Sequence, residues 1–131
     1  MIVVDASVLA NVVSDDGADG RRARDEVRGA GDIAAPDLVD VETVAVLRKR
    51  WLSGTISGRR FSAALDDLEA LDIDRYPALP LIRRSYDLRP NVTAYDAMYV
   101  ALAEALGCEL VTGDQRLASA PGPRCVIRIL A

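Results

Sequence analysis

Residues 1–5, M-I-V-V-D, form a short apolar run rich in β-branched side chains that stops at an acid, Asp5. Residues 108–114, C-E-L-V-T-G-D, repeat this arrangement and stop at Gly113 and Asp114. Runs of this length and composition, bounded by turn residues, are typical of buried strands in a parallel sheet. Because ligands bind beyond the carboxyl ends of such strands, the pattern places Asp5 and Asp114 where a site would form.

The rest of the chain predicts helices alternating with further strands. Weaker strands are predicted at 32–35, around 72–74 and at 125–129. Helical patterns cover 7–13, 18–29, 37–53, 58–71, 79–88 and 94–106. This alternation implies an α/β fold in which both faces of a parallel sheet are covered by helices. Since no internal repeat or linker-length tract interrupts the pattern, residues 1–131 are expected to form one domain.

The chain contains no histidine among its 131 residues. This composition excludes Ser-His-Asp and Cys-His catalysis, imidazole acid–base chemistry and the usual histidine-containing zinc sites. Carboxylates must therefore do any acid–base work. The net charge of −4 argues against a protein that holds nucleic acid by an overall positive potential, so any such binding must rely on local arginine clusters.

The two cysteines and the apolar runs indicate a cytoplasmic protein without membrane attachment. Cys108 and Cys125 adjoin apolar residues and are too far apart for a C-x-x-C motif, so we expect two buried thiols without a chemical role. No apolar stretch approaches the length of a membrane span, and Asp5 follows the start of the chain too soon for a secretion signal.

Two further acids lie on apolar faces of predicted helices. The neighbours of Glu42 three and four residues away are all apolar. Because an ionised carboxylate buried alone is costly, Glu42 must be paired with a cation, protonated or bound to a metal. Asp96, in the first turn of the helix 94–106, shares its face with apolar residues and should point towards the concave end of the protein.

Each acid also has a purely structural interpretation. Asp5 and Asp114 could each cap the helix that follows, since Asp is a favoured N-cap. Thr93-Ala-Tyr-Asp96 resembles a capping box with Asp in place of Glu or Gln. Glu42 could belong to a structural ion pair with a residue from elsewhere in the fold.

Taken together, the four acids predict a metal site. Several carboxylates cannot all stay ionised close to one another without a cation, because their charges repel. Hard oxygen ligands without histidine or cysteine select Mg²⁺ or Mn²⁺. Such an ion activates a bound water and neutralises charge on a phosphodiester, so phosphodiester hydrolysis is the expected reaction class.

Four segments of the chain resemble the PIN-domain ribonucleases, and within that family the VapC-type toxins of bacterial toxin–antitoxin pairs. These segments are V-V-D-A-S at Asp5, V-D-V-E-T-V-A at Glu42, T-A-Y-D-A-M-Y-V-A-L-A-E at Asp96, and L-V-T-G-D at Asp114. The resemblance makes these four acids the catalytic and metal-binding quartet, with the hydroxyls of Ser7 and Thr112 in support.

The resemblance further implies a three-layer sandwich with a five-stranded parallel central sheet flanked by helices. It also implies an Mg²⁺- or Mn²⁺-dependent endoribonuclease that forms a homodimer, cleaves structured RNA and is inhibited by a cognate antitoxin. RNA would be bound by arginine clusters, although most of these are expected to be solvated helix faces. The clusters available are Arg21, Arg22, Arg24 and Arg28; Arg48 with Arg50; Arg59 with Arg60; and Arg83 with Arg84.

Two alternatives belong to other functional classes. A phosphoacceptor signalling domain would be expected to have paired acids after its first strand, whereas Asp5 precedes Ala6. A catalytically silent PIN-like domain could bind RNA or protein through the same fold, but the intact quartet weighs against it.

Overall fold

The computed structural model describes residues 1–130 and contains one five-stranded sheet. The strands are β1 (Ile2–Val4), β2 (Ile33–Pro36), β3 (Asp74–Tyr76), β4 (Glu109–Thr112) and β5 (Ile127–Ile129). They lie in the order β3-β2-β1-β4-β5, and every neighbouring pair is parallel. This confirms the predicted α/β fold with a parallel, five-stranded central sheet.

The helices cover both faces of this sheet. They are α1 (Ala6–Ser14), α2 (Ala18–Gly29), α3 (Val39–Leu52), α4 (Gly58–Ala70), α5 (Ile82–Leu88), α6 (Ala94–Leu106) and α7 (Gln115–Ser119). α1 packs against α2, α3 and α4, whereas α5 packs against α6, which lies on β1, β2 and β4. Right-handed crossovers explain why the helices fall on two faces. From β1 to β3 the chain crosses the sheet in one direction, and from β3 to β4 and β5 it crosses in the opposite direction.

The helix α6 has a central stretch that is buried on every side. Its residues from Ala97 to Ala103 are all buried, which explains why this stretch is apolar on every side. Its first turn, which carries Asp96, reaches the surface at the carboxyl edge of the sheet. None of the helices formed by residues 1–130 has the length and apolar character needed to span a membrane.

Three local predictions needed correction. The predicted helix 79–88 begins as a 3₁₀ turn, Leu79–Leu81, with proline in its first positions, and becomes α-helical only at Ile82. The helix α7 was implied only by the capping interpretation of Asp114 and was missing from the predicted helical segments. Cys108 and Cys125 are partly exposed rather than buried, since they lie near the amino ends of two strands rather than in the core.

Candidate active site

The four acids predicted from the sequence lie around the carboxyl edge of the sheet. Asp5 follows β1 and Asp114 follows β4, and these strands are neighbours at the point where the strand order reverses. Glu42 and Asp96 lie in the first turns of α3 and α6. Burial raises the pKa of both Glu42 and Asp96, and the negative charge of Asp5 adds to the rise in each.

Asp5 is the most deeply buried of the four, with 7% of the residue exposed. Its Oδ1 accepts hydrogen bonds from the Ser7 hydroxyl at 2.6 Å and from the backbone N–H of Val8 at 3.2 Å. Its Oδ2 accepts a hydrogen bond from the Thr112 hydroxyl. Burial raises the pKa of Asp5, and the hydrogen bonds from both hydroxyls oppose that rise. Asp5 therefore does cap α1, as its structural interpretation predicted.

Ser7 and Thr112 connect Asp5 to the turn that carries Asp114. The Ser7 hydroxyl accepts a hydrogen bond from the backbone N–H of Gly113 at 3.0 Å. The Thr112 hydroxyl accepts one from the backbone N–H of Asp114, also at 3.0 Å. Because a hydroxyl can donate and accept at once, each links the Asp5 carboxylate to this turn. A side chain at Gly113 would place its Cβ only 3.2 Å from Ser7 Oγ, which favours glycine there.

Glu42 is held by a residue that the sequence did not identify as functional. Its Oε1 accepts a hydrogen bond from the Tyr99 hydroxyl at 2.7 Å. Burial raises the pKa of Glu42, and the charges of Asp96 and Asp5 raise it further, while the hydrogen bond from Tyr99 lowers it. Within residues 1–130, Glu42 forms no ion pair with lysine or arginine. The structural ion-pair interpretation therefore finds no partner there.

Asp96 and Asp114 share a small cavity of about 200 Å³. Thr93 caps α6 by accepting a hydrogen bond from the backbone N–H of Asp96 at 3.1 Å. Burial raises the pKa of Asp96, and the charges of Asp114 and Asp5 raise it further. Asp114 caps α7 by accepting a hydrogen bond from the backbone N–H of Arg116 at 2.9 Å. Both acids thus combine a position at a helix start with one beside the cavity.

The donor set of this site fits a hard divalent cation. All four side chains offer carboxylate oxygens, and the repulsion among them is what a bound cation would relieve. In residues 1–130, no three His, Cys, Asp or Glu side chains are already arranged as a metal cage. Mg²⁺ does not require one, because it keeps several waters and commonly uses only one or two carboxylates.

Comparison with known proteins identifies the family that the chain resembles over most of its length. Residues 2–123 match the PIN domain family. Ribonuclease VapC1 of Mycobacterium tuberculosis is 44% identical over 129 residues, which cover 98% of this chain and 96% of that relative. Over nearly its whole length, then, the chain is similar to a protein named as a ribonuclease.

Two solved structures have the same fold. PAE2754 from Pyrobaculum aerophilum superposes with a TM-score of 0.69 at 23% identity, over 97% of this chain and 82% of that one. VapBC2 from Rickettsia felis, solved with a DNA fragment from its promoter, superposes with a TM-score of 0.68 at 15% identity, over 100% of both chains. At these identities the two structures support the fold alone.

Proposed function

Because this chain belongs to the PIN-domain family, we propose that it is a metal-dependent ribonuclease that hydrolyses RNA phosphodiester bonds. The observation that carries this proposal is the group of four acids around one sheet edge. Burial and mutual repulsion raise the pKa values of Glu42 and Asp96, and within residues 1–130 no lysine or arginine forms an ion pair with Glu42. A site that concentrates negative charge in this way is suited to a metal ion.

We propose that the ion is Mg²⁺ or Mn²⁺ and that Asp5, Glu42, Asp96 and Asp114 hold it. Such an ion, when bound, would supply an activated water and offset the charge that develops on the phosphodiester. The protein's own part is orientation: Ser7 and Thr112 hold the two oxygens of Asp5, and Tyr99 holds Glu42. Hydrogen bonds of this kind keep metal ligands in place and contribute to metal affinity.

We further propose that this ribonuclease is the toxin of a toxin–antitoxin pair. Support comes from its 44% identity to Ribonuclease VapC1, whose name is that of the VapC-type toxins that the sequence resembles. A cognate antitoxin would then inhibit this ribonuclease. We also propose that the protein forms a homodimer and that it acts in the cytoplasm, where it meets RNA. The continuous sheet from β3 to β5 supports one PIN-like domain over residues 1–131. Light scattering on the purified protein would test the dimer.

The decisive experiment is cleavage of total RNA by the purified protein. We expect cleavage with Mg²⁺ or Mn²⁺, none with EDTA, and none in Asp5→Asn. Cleavage that survives in Asp5→Asn would identify a contaminating nuclease. The absence of cleavage by the wild-type protein, together with retained RNA binding, would favour the catalytically silent alternative.

A second variant tests Glu42 directly. Glu42→Gln should abolish cleavage while the protein remains folded, since it removes one charge from a repelling group. Turnover at the wild-type rate would contradict a catalytic role for Glu42. Gross unfolding would indicate a structural role for Glu42 instead, through its hydrogen bond with the Tyr99 hydroxyl.

A further inference from the structure

Arg50, near the end of α3, is held against α1 by neutral acceptors. Its Nη1 donates to the backbone carbonyl of Ala10 at 3.2 Å and to the Ser14 hydroxyl at 2.8 Å. Its Nη2 donates to Oδ1 of Asn11 at 2.6 Å. These bonds fix the position of the guanidinium group without neutralising its charge.

The guanidinium of Arg50 retains both charge and donors. Of the five N–H groups that an arginine carries, these hydrogen bonds use three. Within residues 1–130, Arg50 forms no ion pair, whereas several other arginines are paired with carboxylates: Arg22, Arg28, Arg60, Arg75, Arg84, Arg116 and Arg128. Arg50 is therefore a positioned cation with the capacity to bind an anion.

Arg50 lies along a groove that begins beside the candidate active site. The first part of this groove, about 250 Å³, is lined by Ser7, Gly113 and Arg50. Ser7 is the residue that donates to Asp5, so this end of the groove adjoins the acids. A second part, about 680 Å³, continues past Arg50 towards Arg60.

The acids along this groove are already engaged. Asp19 is paired with Arg22, and Asp16 is paired with Arg60. One carboxylate oxygen of Asp15 accepts hydrogen bonds from two backbone N–H groups in the turn between α1 and α2. Within residues 1–130 the groove thus has one positioned guanidinium that forms no ion pair, and the carboxylate of Asp15 is held by backbone N–H groups and not by Arg50.

We propose that Arg50 binds a phosphate of the RNA strand at a position outside the bond that is cleaved. The groove from Ser7 to Arg60 would then be the path of the strand away from the acids. This inference rests on the proposed ribonuclease function. Arginine suits the task because its planar fork can offer two N–H groups to two phosphate oxygens. Arg50 is a substrate-binding residue and takes no part in the chemical step.

The test is the salt dependence of RNA binding. The probe is a short, fluorescently labelled, single-stranded RNA of mixed sequence, measured in EDTA so that no cleavage occurs. Each phosphate contact contributes about 0.7 to the slope of log K against log salt for a single strand. We expect Arg50→Gln to lower this slope by about 0.7 and to weaken binding about tenfold at low salt.

Arg48→Gln is the matched control, because Arg48 is exposed on the same helix and the variant makes the same charge change. We expect its slope to equal that of the wild type. Arg50→Lys, which keeps the charge, should retain the slope while binding more weakly, since a lysine lacks the planar fork. An equal loss in the Arg48 and Arg50 variants would overturn the proposal, because it would indicate a general effect of net charge.

Arg50 also ties α3 to α1, so its loss could lower stability. Circular dichroism therefore has to show that each variant is folded at the temperature of the binding assay. A purely structural role would lower the melting temperature and leave the salt slope of the folded protein unchanged, which would overturn the proposal.

The outcomes separate this proposal from the ribonuclease function. RNA binding with the expected slopes but without cleavage in Mn²⁺ would contradict the ribonuclease and support Arg50. Cleavage by the wild type with an unchanged slope in Arg50→Gln would contradict Arg50 alone. A wild-type protein that binds no RNA would overturn both.

Discussion

Tyr99 offers a sharp test of the site, because its hydroxyl holds Glu42 from inside the core. Tyr99→Phe removes only the hydroxyl and leaves in place a ring whose residue is 1% exposed. The lost bond is 2.7 Å long and ends on a carboxylate. Hydrogen bonds to charged groups contribute about 1.5–3 kcal/mol, which corresponds to roughly 10–150-fold in an equilibrium constant.

This loss should appear as weaker metal binding. Without Tyr99, the pKa of Glu42, already raised by burial, should rise further, so protons compete better with the metal. We expect the Mn²⁺ affinity, measured by titration calorimetry without RNA, to fall about 10–100-fold. Cleavage should need correspondingly more Mn²⁺, and a higher pH should recover part of the loss because it deprotonates Glu42.

Tyr95→Phe is the control for this variant. Tyr95 lies on the same helix and is 66% exposed, so the same chemical change should leave Mn²⁺ affinity as in the wild type. If Tyr99→Phe bound Mn²⁺ as tightly as the wild type at every pH, then either Glu42 would not bind the metal or Tyr99 would not position it. Cleavage by Glu42→Gln would distinguish these two explanations.

Three further predictions concern other residues. Metal-free Asp96→Asn should melt no lower than the wild type, because it removes one of several repelling charges. Mn²⁺ should stabilise the wild type by about 2.7 kcal/mol at a hundredfold excess over Kd, and this stabilisation should largely vanish in Asp96→Asn. A pure capping role predicts instead that Asp96→Asn lowers the free energy of unfolding by up to about 1 kcal/mol and leaves the Mn²⁺ response unchanged. Asp114→Asn should keep measurable cleavage at high Mn²⁺, whereas Asp5→Asn should not. The Asp114 side chain is 37% exposed, so a water can take its place. Complete loss of cleavage in both variants would contradict this difference. Burial raises the pKa of Glu104, but the hydrogen bonds from Arg84 and Arg124 lower this pKa below its usual value. The stability that Glu104 contributes is therefore present above its unfolded pKa and is lost as the pH falls through its folded pKa. Urea titrations should therefore show Glu104→Gln about 2 kcal/mol less stable near neutral pH. The difference should shrink as the pH falls through the folded pKa of Glu104, and a constant difference would contradict this account.

The strands beside the site could be predicted because they are buried on both faces. β1 reads as a continuous apolar run for that reason, β4 has an apolar centre, and the ends of these strands located Asp5 and Asp114. The edge strand β3 was harder, since two of its three residues are exposed and leave little apolar pattern. The prediction fell around 72–74, whereas β3 spans Asp74–Tyr76. The helix α7 has only five residues, which is too short for a helical period to be detected.

The acids were recognisable from sequence because each departs from its surroundings, as Glu42 does on an apolar helical face. The role of Tyr99 was not, because packing alone explains a tyrosine on a buried helix, and Glu42 is 57 positions away in the chain. Arg50 was only one member of an arginine cluster. Its neutral acceptors lie on α1, nearly 40 residues earlier, so only tertiary structure distinguishes it from exposed Arg48.

For Asp5, the capping and metal-binding interpretations are compatible. An ionised carboxylate has about four sites for hydrogen bonds or ligands. In Asp5, the hydroxyls of Ser7 and Thr112 and the backbone N–H of Val8 use three of these, which leaves capacity for a cation. The same bonds oppose the rise in pKa that burial causes, and so favour the ionised form that a metal requires. The helix cap is therefore compatible with the proposed metal binding by Asp5, because the bond from Val8 and those from the two hydroxyls hold the carboxylate in place and oppose the effect of burial on its pKa.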